Sequence, residues 1–99
     1  MTAEVKMKLY HATSSANIRS IKRKGLLPAG IILQCAFIYF SDDINIAKKF
    51  GEAIIEVDTK DLNEKYLDTY REMLCDVLKC NPFYNYNLPI TPDKLKFLK

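Results

Sequence analysis

The apolar residues of this chain switch repeatedly between runs that suit strands and spacings that suit helices. No single period persists until late in the sequence. That alternation points to a small α+β domain, because a helical bundle or an all-strand sandwich would hold one period throughout. Lys8-Leu9-Tyr10 opens a short strand running into His11. Thr13-Ser14-Ser15-Ala16 supplies cap residues, Ile18 and Ile21 an apolar face, and Gly25 a stop, which predicts a helix over about 14–24. Leu26-Leu27-Pro28 leaves that helix, and Ile31-Ile32-Leu33 is either a strand or a loop packed inward. Ala36-Phe37-Ile38-Tyr39-Phe40 is a buried strand by its aromatic and β-branched content.

Ser41 then caps a short helix with Ile44, Ala47 and Phe50 at spacings of three and Gly51 as its stop. Ala53–Asp58 is a further strand. From Thr59 the spacing of Leu62, Tyr66, Tyr70, Met73, Leu74, Val77 and Leu78 predicts one long amphipathic helix, ended by Asn81-Pro82. Phe83, Tyr84 and Tyr86 form a short strand, and Thr91-Pro92-Asp93 turns into a last segment over Leu95–Phe97. The order is β-α-β-α-β-α-β. It predicts one α+β domain over residues 1–99, with a mixed, mainly antiparallel sheet, two short helices and one long one.

Size and composition agree. A chain of 99 residues with 48% apolar content buries about 65% of its unfolded surface and needs no staples. Three Gly and four Pro exclude collagen-like and linker compositions. Cys35, Cys75 and Cys80 make an odd count with no C-x-x-C pair, and one His accompanies them. Buried thiols in a reducing, cytoplasmic setting are therefore expected, with no metal site. No secretory leader pattern opens the sequence, and the uncharged stretch Gly25–Phe40 is too short and too broken to span a bilayer.

The net charge of +3 is unevenly spread. Residues 1–30 hold six Lys/Arg against one Glu, whereas residues 41–76 hold five against ten Asp/Glu. A basic N-terminal third suits phosphates or nucleic acid, yet Arg19, Lys22, Arg23 and Lys24 also suit a solvated helix end. Asp42-Asp43 reads as first-turn helix charge, and the three glycines form no phosphate-binding pattern. His11 is the sharpest candidate for chemistry, since it stands where a strand gives way to a helix cap. Free backbone N–H groups at such a corner bind anions or carbonyls.

An ordered set of motifs surrounds that histidine. Leu9-Tyr10-His11-Ala12-Thr13-Ser14, Ile21 with Gly25-Leu26-Leu27-Pro28, and Ile38-Tyr39-Phe40-Ser41 with Ala47 and Phe50-Gly51 together resemble the ADP-ribosyltransferase superfamily. The poly(ADP-ribose) polymerase catalytic domains and the C-terminal lobe of RNA 2′-phosphotransferases carry similar series. Phe40-Ser41-Asp42-Asp43, Val57-Asp58 and Ile90-Thr91-Pro92 extend the likeness over roughly residues 8–98. The resemblance implies binding of NAD as substrate and transfer of ADP-ribose to a protein or nucleic-acid acceptor, without a metal. It assigns His11 to a ribose hydroxyl, the backbone of Ala12 to the nicotinamide amide, and Thr13 to ribose. Tyr39 would stack on the nicotinamide and Phe50 would cover its other face.

The third member of the family's His-Tyr-Glu set is missing. The matching stretch, Phe83-Tyr84-Asn85-Tyr86-Asn87, holds no acid, so Asn85 or Asn87 would have to bond the ribose, with Asn85 the candidate for the catalytic position. An amide can bond a ribose hydroxyl but cannot stabilise a cation as a carboxylate does. Glu52 and Glu56 read as surface charges. Two alternatives follow: a catalytically inactive nucleotide-binding or inhibitor-like module on the same fold, or an activity like that of the RNA 2′-phosphotransferases. The face of the helix expected over 62–78 is the expected contact for a protein partner or a second copy, and no membrane association is expected.

Overall fold

Pairing between distant strands, rather than helix packing, organises this molecule. The computed structural model describes residues 7–28, 38–70, 76–77 and 83–98. The strands among the described residues are β1 (Lys8–Thr13), β2 (Ile38–Phe40), β3 (Ala53–Asp58), β4 (Leu67–Tyr70), β5 (Phe83–Tyr86) and β6 (Lys96–Leu98). Among the described residues, the short helices α1 (Ile18–Lys24) and α2 (Ile44–Ala47) follow β1 and β2, and Asp76 and Val77 are also helical. The strands form two three-stranded antiparallel sheets, ordered β1-β3-β6 and β2-β5-β4. The result is a small α+β domain.

Each sheet forms around its most apolar strand or its aromatic pairs. In β3, Ala53, Ile54, Ile55 and Val57 are all buried, which suits a central strand covered on both faces. Leu9 lies opposite Val57 and His11 opposite Ile55. In the second sheet Ile38 and Phe40 face inward opposite Tyr86 and Tyr84. Leu9, Phe40, Ile55 and Val57, each at most 2% exposed, centre the main core, to which Leu26, Ile90 and the partly buried Ile18 and Ile21 of α1 add. Ile46 and Ala47 of α2 are buried as well. Lys8 pairs with Glu56 at 3.8 Å and Asp58 at 3.6 Å, long contacts from an exposed amine to half-buried carboxylates and of small energetic weight.

The predicted first helix is present, preceded by a 3-10 turn at Ser15–Asn17 in which the Ser14 hydroxyl accepts from the Ala16 N–H. Gly25 ends it at φ 83°, where its amide donates to the Ile21 carbonyl. A Cβ there would collide with the Ile90 carbonyl, so both conformation and space require glycine. The second helix begins two residues later than expected. Asp43, not Ser41, caps it by accepting from the Asn45 N–H at 2.8 Å, and the Ser41 hydroxyl accepts from the Asp43 N–H.

The long helix expected from Thr59 onward is absent over residues 59–70, whereas Asp76 and Val77 are helical. Residues 59–70 form two 3-10 turns, Thr59–Asp61 and Glu64–Tyr66, and then β4. Local side chains start the turns, and pairing with β5 makes the strand. Asp58 and Asn63 accept from the N–H groups two residues ahead, starting a turn each time. Leu67-Asp68-Thr69-Tyr70 then pairs residue by residue with β5. The four-residue spacing of Leu62, Tyr66 and Tyr70 resembles a helix, but Leu62 and Leu67 are the residues that pack on the core and Tyr66 is exposed. The contact face expected over 62–78 therefore does not exist over 62–70. Residues 71–75 and 78–80 of that prediction, the cysteines at 35, 75 and 80, and Ile31–Leu33 lie outside the described residues. Among the described residues no helix is long and apolar enough to cross a membrane.

Candidate functional site

The two sheets pack on one core, and among the described residues they exchange backbone hydrogen bonds at one place, with His11 beside it. Tyr10 and Ser41 exchange backbone hydrogen bonds of 2.8 and 2.9 Å, the only such exchange between β1 and β2 among the described residues. Past that bridge the strands part. The His11 imidazole spans the opening, donating from Nδ1 to the Tyr39 carbonyl at 2.8 Å and setting its ring edge against Phe40 with centroids 5.8 Å apart.

That bond fixes the ring's chemistry. A carbonyl can only accept, so Nδ1 carries the proton and Nε2 of the neutral ring offers its lone pair. Burial pushes the His11 pKa below its ordinary value, and the Tyr39 carbonyl opposes this by favouring the charged ring. At neutral pH the group is an acceptor at Nε2, suited to a hydroxyl donor.

The strand alternation places the other candidates. Tyr10 turns its N–H and C=O toward β2, so Ala12, two residues on, turns its own to the same side, where β1 and β2 have separated. Thr13 closes the strand, with its hydroxyl accepting from Asn17 Nδ2 at 3.0 Å. Gly51 lies directly against it: a Cβ at that position would stand 2.7 Å from the Thr13 oxygen and 2.8 Å from its nitrogen. Glu52 is exposed but not idle. Its Oε1 accepts from the Ser15 N–H at 3.0 Å and the Ser15 hydroxyl at 2.8 Å, bonds that lower its pKa. The turn after α2 thus clamps the β1–α1 corner.

Tyr39 is 49% exposed, because Ile38 and Phe40 on either side face the core. Asn85 is its direct partner across β5, so both side chains share the outer face. Phe83, two residues before Asn85, belongs to that face too and is covered edge-on by Phe50 at 5.8 Å. Phe50 remains 53% exposed. Tyr39, Asn85 and Phe50 thus belong to one surface. His11 joins it through the Tyr39 backbone rather than the Tyr39 ring. Its own side chain shares the pleat face of Leu9, at the margin of the core.

Sequence reasoning missed three contributors. Phe83 supports Phe50, Gly51 makes room for Thr13, and Asp68 lies opposite Asn85 on β4. For Asp68 the sequence carries no strand signal, because Leu67-Asp68-Thr69-Tyr70 does not alternate and its place is set by pairing with β5. Among the described residues no three His, Cys, Asp or Glu side chains gather as a metal site would require. Compared with protein-family models the chain matches none, and compared with curated proteins it matches none either.

Proposed function

We propose that this chain is a minimal ADP-ribosyltransferase-like protein that binds NAD and transfers ADP-ribose to a protein or nucleic-acid acceptor. One observation carries the reading: residues 28 apart in sequence, His11 and Tyr39, are joined by a 2.8 Å hydrogen bond where the two sheets part. Asn85 stands directly across from Tyr39.

The chemistry suited to such a site is heterolysis of the nicotinamide–ribose bond. The electron pair of that bond leaves with the nicotinamide nitrogen, which becomes neutral, and positive charge develops on the ribose. An acceptor oxygen or nitrogen then bonds to the same carbon and loses a proton. His11 Nε2 would accept from a ribose hydroxyl and hold the sugar in place, while Thr13 and the Ala12 backbone orient the amide and ribose. Tyr39 and Phe50 would confine the nicotinamide ring. Positioning and charge stabilisation then supply most of the rate.

A second reading has its own support. Asn85 stands where an acid would be expected, which favours an inactive nucleotide-binding module on the same scaffold. Titration calorimetry with NAD on wild type and His11→Ala tests the common ground. We expect binding by the wild type and a weakening of about tenfold or more in the variant, the loss of one hydrogen bond to a well-held ring. No binding by the wild type overturns both readings. Incubation with labelled NAD and candidate proteins or RNA, followed by mass spectrometry, separates them: a transferred ADP-ribose excludes the inactive module. A 2′-phosphorylated oligonucleotide in the same assay tests the phosphotransferase-like alternative, which an unchanged oligonucleotide removes.

A further inference from the structure

We propose that Asp68 supplies the carboxylate that β5 lacks, so that the acid of this site stands one strand further out, on β4. The inference rests on the NAD-binding reading above and deepens it. Tyr39 lies opposite Asn85, and Asn85 lies opposite Asp68. Direct cross-strand partners point their side chains to one face. Tyr39, Asn85 and Asp68 therefore make a single row across β2, β5 and β4, on the face away from the main core cluster, which they share with Phe83 under Phe50.

The neighbours of each residue confirm which face this is. Ile38 and Phe40 are buried beside an exposed Tyr39, Tyr86 is buried beside Asn85, and Leu67 packs on the core beside an exposed Asp68. The row runs from the strand that His11 bonds to the outer edge of the second sheet.

Five other carboxylates are committed elsewhere. Glu52 holds Ser15, Asp43 caps α2, and Asp58 caps a 3-10 turn. Glu56 and Asp58 share Lys8, and Asp61 meets Lys94 at 4.0 Å. Asp68 is exposed on the outer face, next to the one amide that occupies the expected position. Adjacent strands lie about 4.8 Å apart, so a carboxylate on β4 reaches a ribose hydroxyl held over Asn85 with one side chain's extension. Its role is to accept from that hydroxyl and stabilise the positive charge that develops as the nicotinamide–ribose bond breaks. The electron pair leaves with nicotinamide, and water or the acceptor then bonds to the ribose carbon and gives up a proton.

The test measures NAD affinity by calorimetry and nicotinamide release, with water as acceptor, on the full chain and on Asp68→Asn, Asp68→Glu and Asn85→Ala. We expect Asp68→Asn to bind NAD within threefold of wild type and to lose about a hundredfold or more in turnover, the usual effect of removing one charge-stabilising group. Asp68→Glu should retain turnover within tenfold, and Asn85→Ala should lose less than Asp68→Asn. Asp68→Asn turnover within threefold of wild type overturns the assignment while leaving the NAD-binding reading intact. A loss of affinity as large as the loss of turnover also overturns it, because the side chain would then only hold substrate. A wild type that binds NAD without releasing nicotinamide overturns the assignment in favour of the inactive module. A wild type that fails to bind overturns the reading itself.

Discussion

The His11 imidazole donates from Nδ1 to the carbonyl of Tyr39 at 2.8 Å, joining β1 to β2 past the point where their backbone bonding stops. Burial lowers the pKa of this histidine below its ordinary value near 6.5. The unfolded chain therefore binds more protons than the folded one as the pH falls through 6.5 toward the folded-state value. Stability from this group is fully present above pH 6.5 and is lost as the pH drops through that window. Urea unfolding at pH 7.5 and pH 5.5 checks the sign: wild type should lose more stability on acidification than His11→Gln. An equal or smaller loss in wild type would refute the assignment of a neutral ring.

Gly51 is required by space rather than by backbone conformation. Any Cβ there lies within 2.8 Å of both the nitrogen and the oxygen of Thr13, and backbone atoms in a paired strand cannot easily retreat. Gly51→Ala should lower stability by about 2 kcal/mol, the range of other overpacked sites. It should also shift the amide resonances of Thr13 and Ser15 more than those of β5. An unfolding midpoint unchanged from wild type would show that the turn after α2 does not clamp this corner.

How much of this was legible in the sequence depends on what each residue's neighbours could reveal. Ala53–Asp58, Ile38–Phe40 and Phe83–Tyr86 appear as expected, because dense β-branched and aromatic runs leave little choice. The first helix was marked by its caps and by Gly25, signals that act within a few residues. Residues 59–70 were misread because their structure is decided at a distance. Leu67–Tyr70 becomes a strand by pairing with β5, and Asn63 is held by the Tyr86 hydroxyl, 23 residues away. The site shows the same division. His11, Tyr39 and Asn85 could be picked from local motifs, whereas the place of Asp68 depends on a register that only the folded sheet defines.

The bond between Tyr86 and Asn63 gives that long-range decision a measurable weight. Tyr86 is 4% exposed, and its hydroxyl oxygen accepts from the Asn63 N–H at 2.9 Å. Tyr86→Phe keeps the ring in the core but leaves that amide without its partner, which should cost about 1 kcal/mol. Hydrogen exchange should quicken at Asn63 and along Leu67–Thr69 while β3 stays protected. Uniform exchange changes across both sheets would contradict a local role for this contact.

Phe50 and Phe83 touch edge-on at 5.8 Å, yet one is 53% exposed and the other 7%. That asymmetry separates binding from stability. Phe50→Ala removes mainly an exposed ring and one aromatic contact, so it should cost about 1 kcal/mol of stability. Phe83→Ala empties a buried position on β5 and should cost about 3–4 kcal/mol. If Phe50 covers a bound nicotinamide, its variant should weaken NAD binding by about tenfold, a loss comparable to one aromatic stacking partner. Parallel denaturation and calorimetry on the two variants decide the matter. A Phe50→Ala protein with wild-type NAD affinity would remove Phe50 from the site and leave it as a lid over Phe83.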